Sequence, residues 1–464
     1  MVQSFKKERQ QLEDAGSKLL SHAIQAGAGS AEICGLYRQS TKITLEKQDY
    51  HLASSDEGTQ LGLRVLCDGR MGFTSCNSLE VKDLKEIALR AVEIARFSPR
   101  NPNFVLLAAA NNAKEAPQAI WDESLHQISL QTQKDWVKWM VEEALKDTRF
   151  RLSDGHLSLG SSLFLIANSL GTHKTEKETV ASWSLMGMGV EGEKITSFDY
   201  FSEISRTAPG IQDRIVASTR RFRNSVLENL KTGPAKSYKG LVAFSPRAVT
   251  DIFLNALAYH LSGRSVVEKT GRWSLRDLNS RVLDPRFNLN DQPWLTDRSG
   301  FAAFDREGTP THPLPLFHQG ELKSFLLDQY SAKALELHST GHGLGTPGST
   351  PTVGTHCLVL SPGDETWDSL KKRLAAEQGR YLLVHRYSGQ VDSVTGDFSG
   401  VAKGAEWWDQ GKHVYNVKET LISGNLFEVL SKDLFGMSRE TEVIDSNDSS
   451  PYLVANGVSV TAGQ

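Results

Sequence analysis

Two glycine-bearing segments late in the chain combine residue types suited to a binding or catalytic cleft. They read Val394-Thr395-Gly396-Asp397-Phe398-Ser399-Gly400 and Thr420-Leu421-Ile422-Ser423-Gly424-Asn425-Leu426. Glycine opens backbone angles and close approaches denied to other residues, while Asp, Ser and Asn side chains bind the freed amides. On composition alone the two segments read as tight turns in a sheet. Asp397 has the chemistry of an acid or a ligand. With no partnered carboxylate or histidine in view, it reads instead as the cap of the turn at Gly396.

Other residue patterns suggest chemistry and then lose it to their context. His338 and His342, in His338-Ser339-Thr340-Gly341-His342, would share one face of a helix and could hold zinc. Thr340-Gly341 and the following Gly343, Gly345, Pro347 and Gly348 argue against a helix, and no glutamate base stands between the histidines. The pair reads as two polar loop histidines. Gly187-Met188-Gly189-Val190-Glu191-Gly192 matches the dinucleotide fingerprint, but strand-like residues 194–201 follow where a phosphate-binding helix is required. It reads as a hairpin. His260, close to Leu257 and Leu261, reads as a core or edge histidine. Arg214, Arg220, Arg221 and Arg223 read as the solvated face of a helix whose apolar stripe is Ile215, Phe222, Val226 and Leu230. The chain has no Walker loop, no GxSxG elbow and no HExxH motif.

The elements that must position these residues follow from length and periodicity. A chain of 464 residues exceeds one ordinary core and predicts two domains. Hydrophobic content of 39% suits a globular interior, and 52 basic against 55 acidic residues leave no basic footprint for nucleic acid. No run is long enough to cross a bilayer. Met1-Val2-Gln3-Ser4-Phe5-Lys6-Lys7-Glu8-Arg9 goes straight into charge, without the apolar stretch of a signal peptide. Cys34, Cys67, Cys76 and Cys357 lack CxxC spacing and predict reduced thiols. Together these features predict a cytoplasmic protein with neither a nucleic-acid nor a membrane partner.

Apolar spacing predicts a helix over 8–25, strands over 32–37 and 41–46, and a hairpin over 62–75 turning on Asp68-Gly69-Arg70. Helices are expected over 79–97, 129–146 and 211–231, a loop over 99–117, and a strand meander over 157–205 turning at 168–171 and 191–193. Thr232-Gly233-Pro234 marks a boundary, giving domains 1–233 and 234–464. Beyond it a buried strand over 240–244 leads to a helix opened by Ser245-Pro246 and stopped at Gly263. Short strands, glycine-rich turns and one helix over 366–378 complete the chain. The predicted class is α+β, with mixed strands and helices in the first domain and an antiparallel-sheet-rich second domain.

Five features in order carry a family resemblance. Gly62-Leu63-Arg64-Val65 followed by Asp68-Gly69-Arg70-Met71-Gly72-Phe73 is similar to the N-terminal hairpin of TldD/PmbA proteins, and Asn168-Ser169-Leu170-Gly171 to their Asn-Ser-x-Gly turn. Ser339-Thr340-Gly341, Pro362-Gly363 and the closing pair of segments fit as well. Members of the TldD type are zinc peptidases with HExxxH on a helix of the second domain: two histidine ligands and a glutamate that activates water. Anchored on Leu261 and Gly263, the corresponding helix puts Leu254 and Tyr259 at the ligand positions and Asn255 at the base. Leucine cannot bind zinc and asparagine cannot take a proton. His260 falls one place away, turned about 100° round the helix. The chain therefore resembles the PmbA/TldE branch, which lacks the metal motif and pairs with a TldD subunit. Asn416 departs from the family, whose proline is expected there.

The resemblance implies a metal-free subunit or homologue of a TldD-type zinc peptidase complex that helps bind and position peptide substrates. It implies no cofactor in this chain, zinc only in a TldD-type partner, and association with such a partner or as a homodimer. Substrate-contacting or cleft-shaping roles fall to Arg64, Thr340, Gly341, His342, Gly396, Asp397, Ser399 and Asn425, with no catalytic residue among them. Trp407 and Trp408, adjacent in a strand and so on opposite faces, are interface candidates. Two other readings stay open: a self-sufficient peptidase using His338, His342 or an unrecognised cluster, and a non-proteolytic peptide-binding or scaffold protein.

Overall fold

The computed structural model describes residues 2–47, 49–106, 117–417 and 419–462. Residues 107–116, inside the loop expected over 99–117, lie outside the described residues. The first sheet holds β1 (Ser30–Glu46), β2 (Asp49–Cys67), β3 (Arg70–Cys76), β4 (Phe150–Asn168), β5 (His173–Glu191), β6 (Lys194–Ile195) and β7 (Asp199–Ser205). Their order is β3-β2-β1-β4-β5-β6, with β7 also on β5, and every pairing is antiparallel. Period-2 alternation sends one face of this sheet to helices. α1 (Val2–Gln25) and α2 (Val81–Phe97) bury Leu12, Leu19, Leu84 and Ala88 against Ile33, Leu63 and Val65. After the short α3 (Glu123–His126), α4 (Leu130–Ala144) and α5 (Ile211–Glu228) cover Ile43, Leu45, Leu157 and Trp183.

Turn chemistry places the hairpins. Asp68 (φ 49°) and Gly69 (φ 72°) both occupy positive φ, the geometry of a two-residue turn whose twist matches its strands. The GxGxxG segment is a hairpin, with Val190 opposite Ile195 and Glu191 opposite Lys194. The two strands expected over 32–37 and 41–46 are instead one strand, β1. Arg38-Gln39-Ser40 contains no Gly, Pro, Asn or Asp, and β2 and β4 pair with that stretch on both sides.

The remaining strands, from Thr232 to Thr461, build a second and larger sheet, except that Gly343–Leu344 and Thr352–Val353 pair as a small ribbon of their own. It is mostly antiparallel, but Tyr238–Phe244 runs parallel to Arg380–Val384. The helix opened by Ser245-Pro246 lies against it. The Ser245 hydroxyl accepts from the Ala248 N–H and donates to the His385 carbonyl, with Pro246 at the first helical position. The helix is irregular: Thr250–Leu254 forms a π turn before Asn255–Leu261 resumes α geometry. Its stop also differs from expectation. Ser262 breaks the helix in extended conformation, and Gly263 begins a further turn, Gly263–Glu268. Gly263 is required for packing, because a Cβ would lie 2.5 Å from Leu327. Two short helices escaped the periodicity, Gln329–Ala334 and Leu426–Ser431. Side-chain caps from Asp328 and Asn425 start them, and each is too short to show a 3.6-residue repeat.

Candidate functional site

Leu254, at the first ligand position of the resemblance, is fully buried in the main core, whereas Asn255 is exposed and Tyr259 is 38% exposed. The two ligand positions thus face opposite environments. His260 turns inward. Its Nδ1 accepts the Arg272 N–H at 3.0 Å, and its ring meets Phe427 edge-on at 4.9 Å. Burial, reinforced by the Arg272 charge, pushes its pKa down to about 4, so the ring is neutral. Among the described residues, no group of three or more His, Cys, Asp or Glu side chains is placed to hold a metal ion. Leucine, asparagine and tyrosine on this helix do not fit the zinc of the TldD type.

The two glycine-bearing segments meet beneath this helix. Asp397–Lys403 pairs antiparallel with Thr420–Asn425, setting Asp397 opposite Asn425 and Phe398 opposite Gly424. Phe398 supports Phe253 of the helix at 6.0 Å. Gly396 sits at φ +77°, and a Cβ there would lie 2.6 Å from the Phe427 ring. Gly424 is needed for space only, since its Cβ would strike Phe398 at 2.7 Å. Asn425 ties the unit together: its amide donates to Asp397 Oδ1 and the Thr395 carbonyl, and its oxygen caps Phe427 and Glu428. Thr395 donates to the second Asp397 oxygen. Ser399 is exposed on the same strand.

Arg64, Thr340, Gly341 and His342 belong to a different place, a buried polar network between the two sheets. Arg64 donates to Glu32 and to Glu307, each at 2.8 Å, and Arg306 donates to the other Glu32 oxygen at 3.0 Å. Burial opposes the Arg64 charge, but the two carboxylates hold the guanidinium protonated. Burial and the neighbouring Glu307 charge raise the Asp305 carboxyl above its usual range, although it accepts the N–H groups of Glu307, Thr309 and Gly343.

His338 is exposed, while His342 is fully buried. Both histidines stand in loop, as expected, and burial alone sets His342 apart from His338. Gly341, at φ +77°, turns the chain inward and aims its neighbour at the interior. His342 Nδ1 meets the Thr340 hydroxyl at 2.8 Å, and its Nε2 lies 3.3 Å from Asp291. Burial alone would raise the Asp291 carboxyl, but His342 and the Cys357 N–H hold it below the ordinary range. This cluster fixes a loop and presents no open reacting atom.

Trp407 is buried in the main core, and Trp408 on the opposite face stacks on Tyr381 with its indole N–H donating to Glu406. The arginines of α5 are less free than a solvated face predicts. Arg220 and Arg223 bind Glu143, and Arg221 binds Glu203. Asn416 bridges Asn229 and His413.

None of the candidate site residues lines the wide cleft between the two sheets. A cleft of about 1110 Å³ separates β6, β7 and α5 from the second sheet, and a second of about 710 Å³ adjoins it. Ile195, Phe198 and Tyr200 reach it while 66%, 49% and 49% exposed. Arg386 straps its mouth, donating to the Phe198 carbonyl and pairing with Asp199. The signal available in the sequence was the aromatic pattern Phe198-Asp199-Tyr200-Phe201 beside the arginines of α5.

Comparison with known proteins accounts for this architecture. Residues 237–462 match the profile of the PmbA/TldA metallopeptidase C-terminal domain, and residues 31–95 that of PmbA/TldA metallopeptidase domain 1. Together they span well over half of the chain. A metalloprotease PmbA homolog of Haemophilus influenzae is 26% identical over 454 residues, covering 94% of this chain and 93% of its own. Metalloprotease PmbA of Escherichia coli O157:H7 is 24% identical over 435 residues, covering 92% and 91%. The crystal structure of TldE from Thermococcus kodakarensis shares the fold, with a TM-score of 0.84 at 21% identity over 96% of this chain and 100% of that one. The chain belongs to the PmbA/TldD metallopeptidase family, on its PmbA/TldE branch.

Proposed function

We propose that this chain is a metal-free subunit of a TldD-type zinc peptidase assembly that helps bind and position peptide substrates for proteolysis. The observation that carries the reading is the chemistry of the helix Asn255–Leu261 and the turn before it: Leu254, Asn255 and Tyr259 stand where two ligands and a base are needed. Zinc then belongs to a TldD-type partner, and the chain pairs with its own copy when that partner is absent. The cytoplasm is the proposed compartment, consistent with four free cysteines, of which Cys34 and Cys357 are buried. No helix among the described residues is long and apolar enough to cross a membrane. A self-sufficient peptidase built on His342 gains less support, since that ring is buried and held by Thr340.

The test is co-purification from native cells, followed by metal analysis of each separated chain and light scattering over a wide concentration range. The expected result is association with a zinc-bearing chain, with no tightly held zinc on this one. One zinc per chain after dialysis, lost in a His338→Ala/His342→Ala variant, would establish the self-sufficient peptidase instead. A monomer in every mixture would remove the subunit reading.

A further inference from the structure

Among the described residues strand β7 pairs only with β5, with Ile204 opposite Ser182, Ser202 opposite Ser184 and Tyr200 opposite Met186. Its other edge faces the second sheet. The Ile204 N–H donates to Ser446 Oγ at 3.0 Å, and the Ile204 carbonyl accepts from Arg214 at 2.8 Å. The backbone groups of Ile204 therefore point away from β5. Residues two apart in a strand direct these groups alike, so Ser202 and Tyr200 turn theirs the same way. The Tyr200 N–H is held by the Asp199 carboxylate at 2.8 Å. Among the described residues nothing pairs with the outward N–H and C=O of Ser202.

Side chains from both faces of β7 line the clefts, Tyr200 and Ser202 from one face and Phe201 and Glu203 from the other. A cavity reached from both faces of a strand lies off its edge. Its volume is at or above the ~300–1,000 Å³ of small-molecule pockets. Four wall cations are already matched, Arg247 to Asp445, Arg221 to Glu203, Arg386 to Asp199 and Lys403 to Glu419, which leaves only Lys194 and Lys231 among the described lining cations for a polyanion. A free N–H and C=O pair beside exposed Tyr200 and Phe198 suits an extended main chain with apolar side chains.

We propose that the edge of β7 at Tyr200–Ser202 receives an extended peptide segment as an added strand. The proposal rests on the peptide-binding role above and names its site. The full chain is titrated into a fluorescein-labelled, unstructured Val/Thr heptapeptide, followed by anisotropy. Ser202→Pro removes the outward N–H but leaves the β5 ladder intact, because proline is tolerated on a free edge. Versions of the peptide N-methylated at odd or at even positions remove the amides on one side only. Ser202→Pro should weaken binding about twofold to tenfold, the worth of one hydrogen bond. One methylated version should weaken similarly and the other bind as the parent. Should Ser202→Pro fail to fold by circular dichroism, the difference between methylated peptides on the unaltered chain decides. Equal affinity of both methylated peptides, or no binding at all, overturns the edge site. If a zinc-bearing partner still co-purifies in that case, the subunit reading stands without it. Methylation-dependent binding with no partner found supports the edge and removes the subunit reading.

Discussion

Acid titration of His260 tests the claim that the family's metal helix is here a piece of core. The ring is fully buried, accepts one backbone N–H and is pushed down to about 4 by burial. A base whose folded pKa lies below its unfolded value of 6.5 contributes stability that is complete above 6.5 and is lost as pH falls toward 4. At about 1.4 kcal/mol per unit, the drop to about 4 is worth roughly 3 kcal/mol. Urea unfolding of the parent, His260→Asn and His260→Phe between pH 7.5 and 4 isolates this contribution as the difference in slope. Both variants should lose it. His260→Phe should also cost about 1–3 kcal/mol at neutral pH, because the Arg272 N–H is left without an acceptor. Equal pH slopes in parent and variants would refute the neutral core ring. Zinc raising the melting temperature of the parent but not of His260→Asn would make His260 a ligand and overturn the metal-free reading.

Arg64→Leu strips buried Glu307 of its guanidinium and leaves Glu32 to Arg306 alone, and should destabilise the chain by about 3–5 kcal/mol in urea unfolding. Arg64→Leu/Glu307→Gln should recover most of that loss; no recovery would show that the arginine acts through packing alone. Gly396→Val sets a β-branched residue at φ +77° against the Phe427 ring and should cost at least about 1–3 kcal/mol. Normal stability and assembly with reduced turnover would mean that this turn serves chemistry instead.

Much of this molecule is legible in short stretches of sequence, because the controlling forces act within a few residues. Asp68-Gly69 sets a hairpin through two positive φ angles, and Ser245-Pro246 starts a helix through one cap. In the register that the resemblance implies, Leu254 stands at a ligand position, and a leucine side chain cannot bind zinc whatever surrounds it. The α+β class and the family follow from alternation and from motifs in fixed order. The short capped helices and the π turn were lost because each is too brief for a periodic signal.

Tertiary structure alone decided where the candidate residues stand. The Arg64–Glu307 contact joins residues 243 positions apart, and nothing local in Gly62-Leu63-Arg64-Val65 announces a buried ion network. Gly62 owes its identity to Pro347, whose carbonyl would lie 2.1 Å from any Cβ. His342 is buried because Gly341 turns it toward Asp291, which belongs to another strand. The cleft and the free edge of β7 exist only once the two sheets face each other, since a strand's edge is open or closed according to what packs beside it and not according to its own residues.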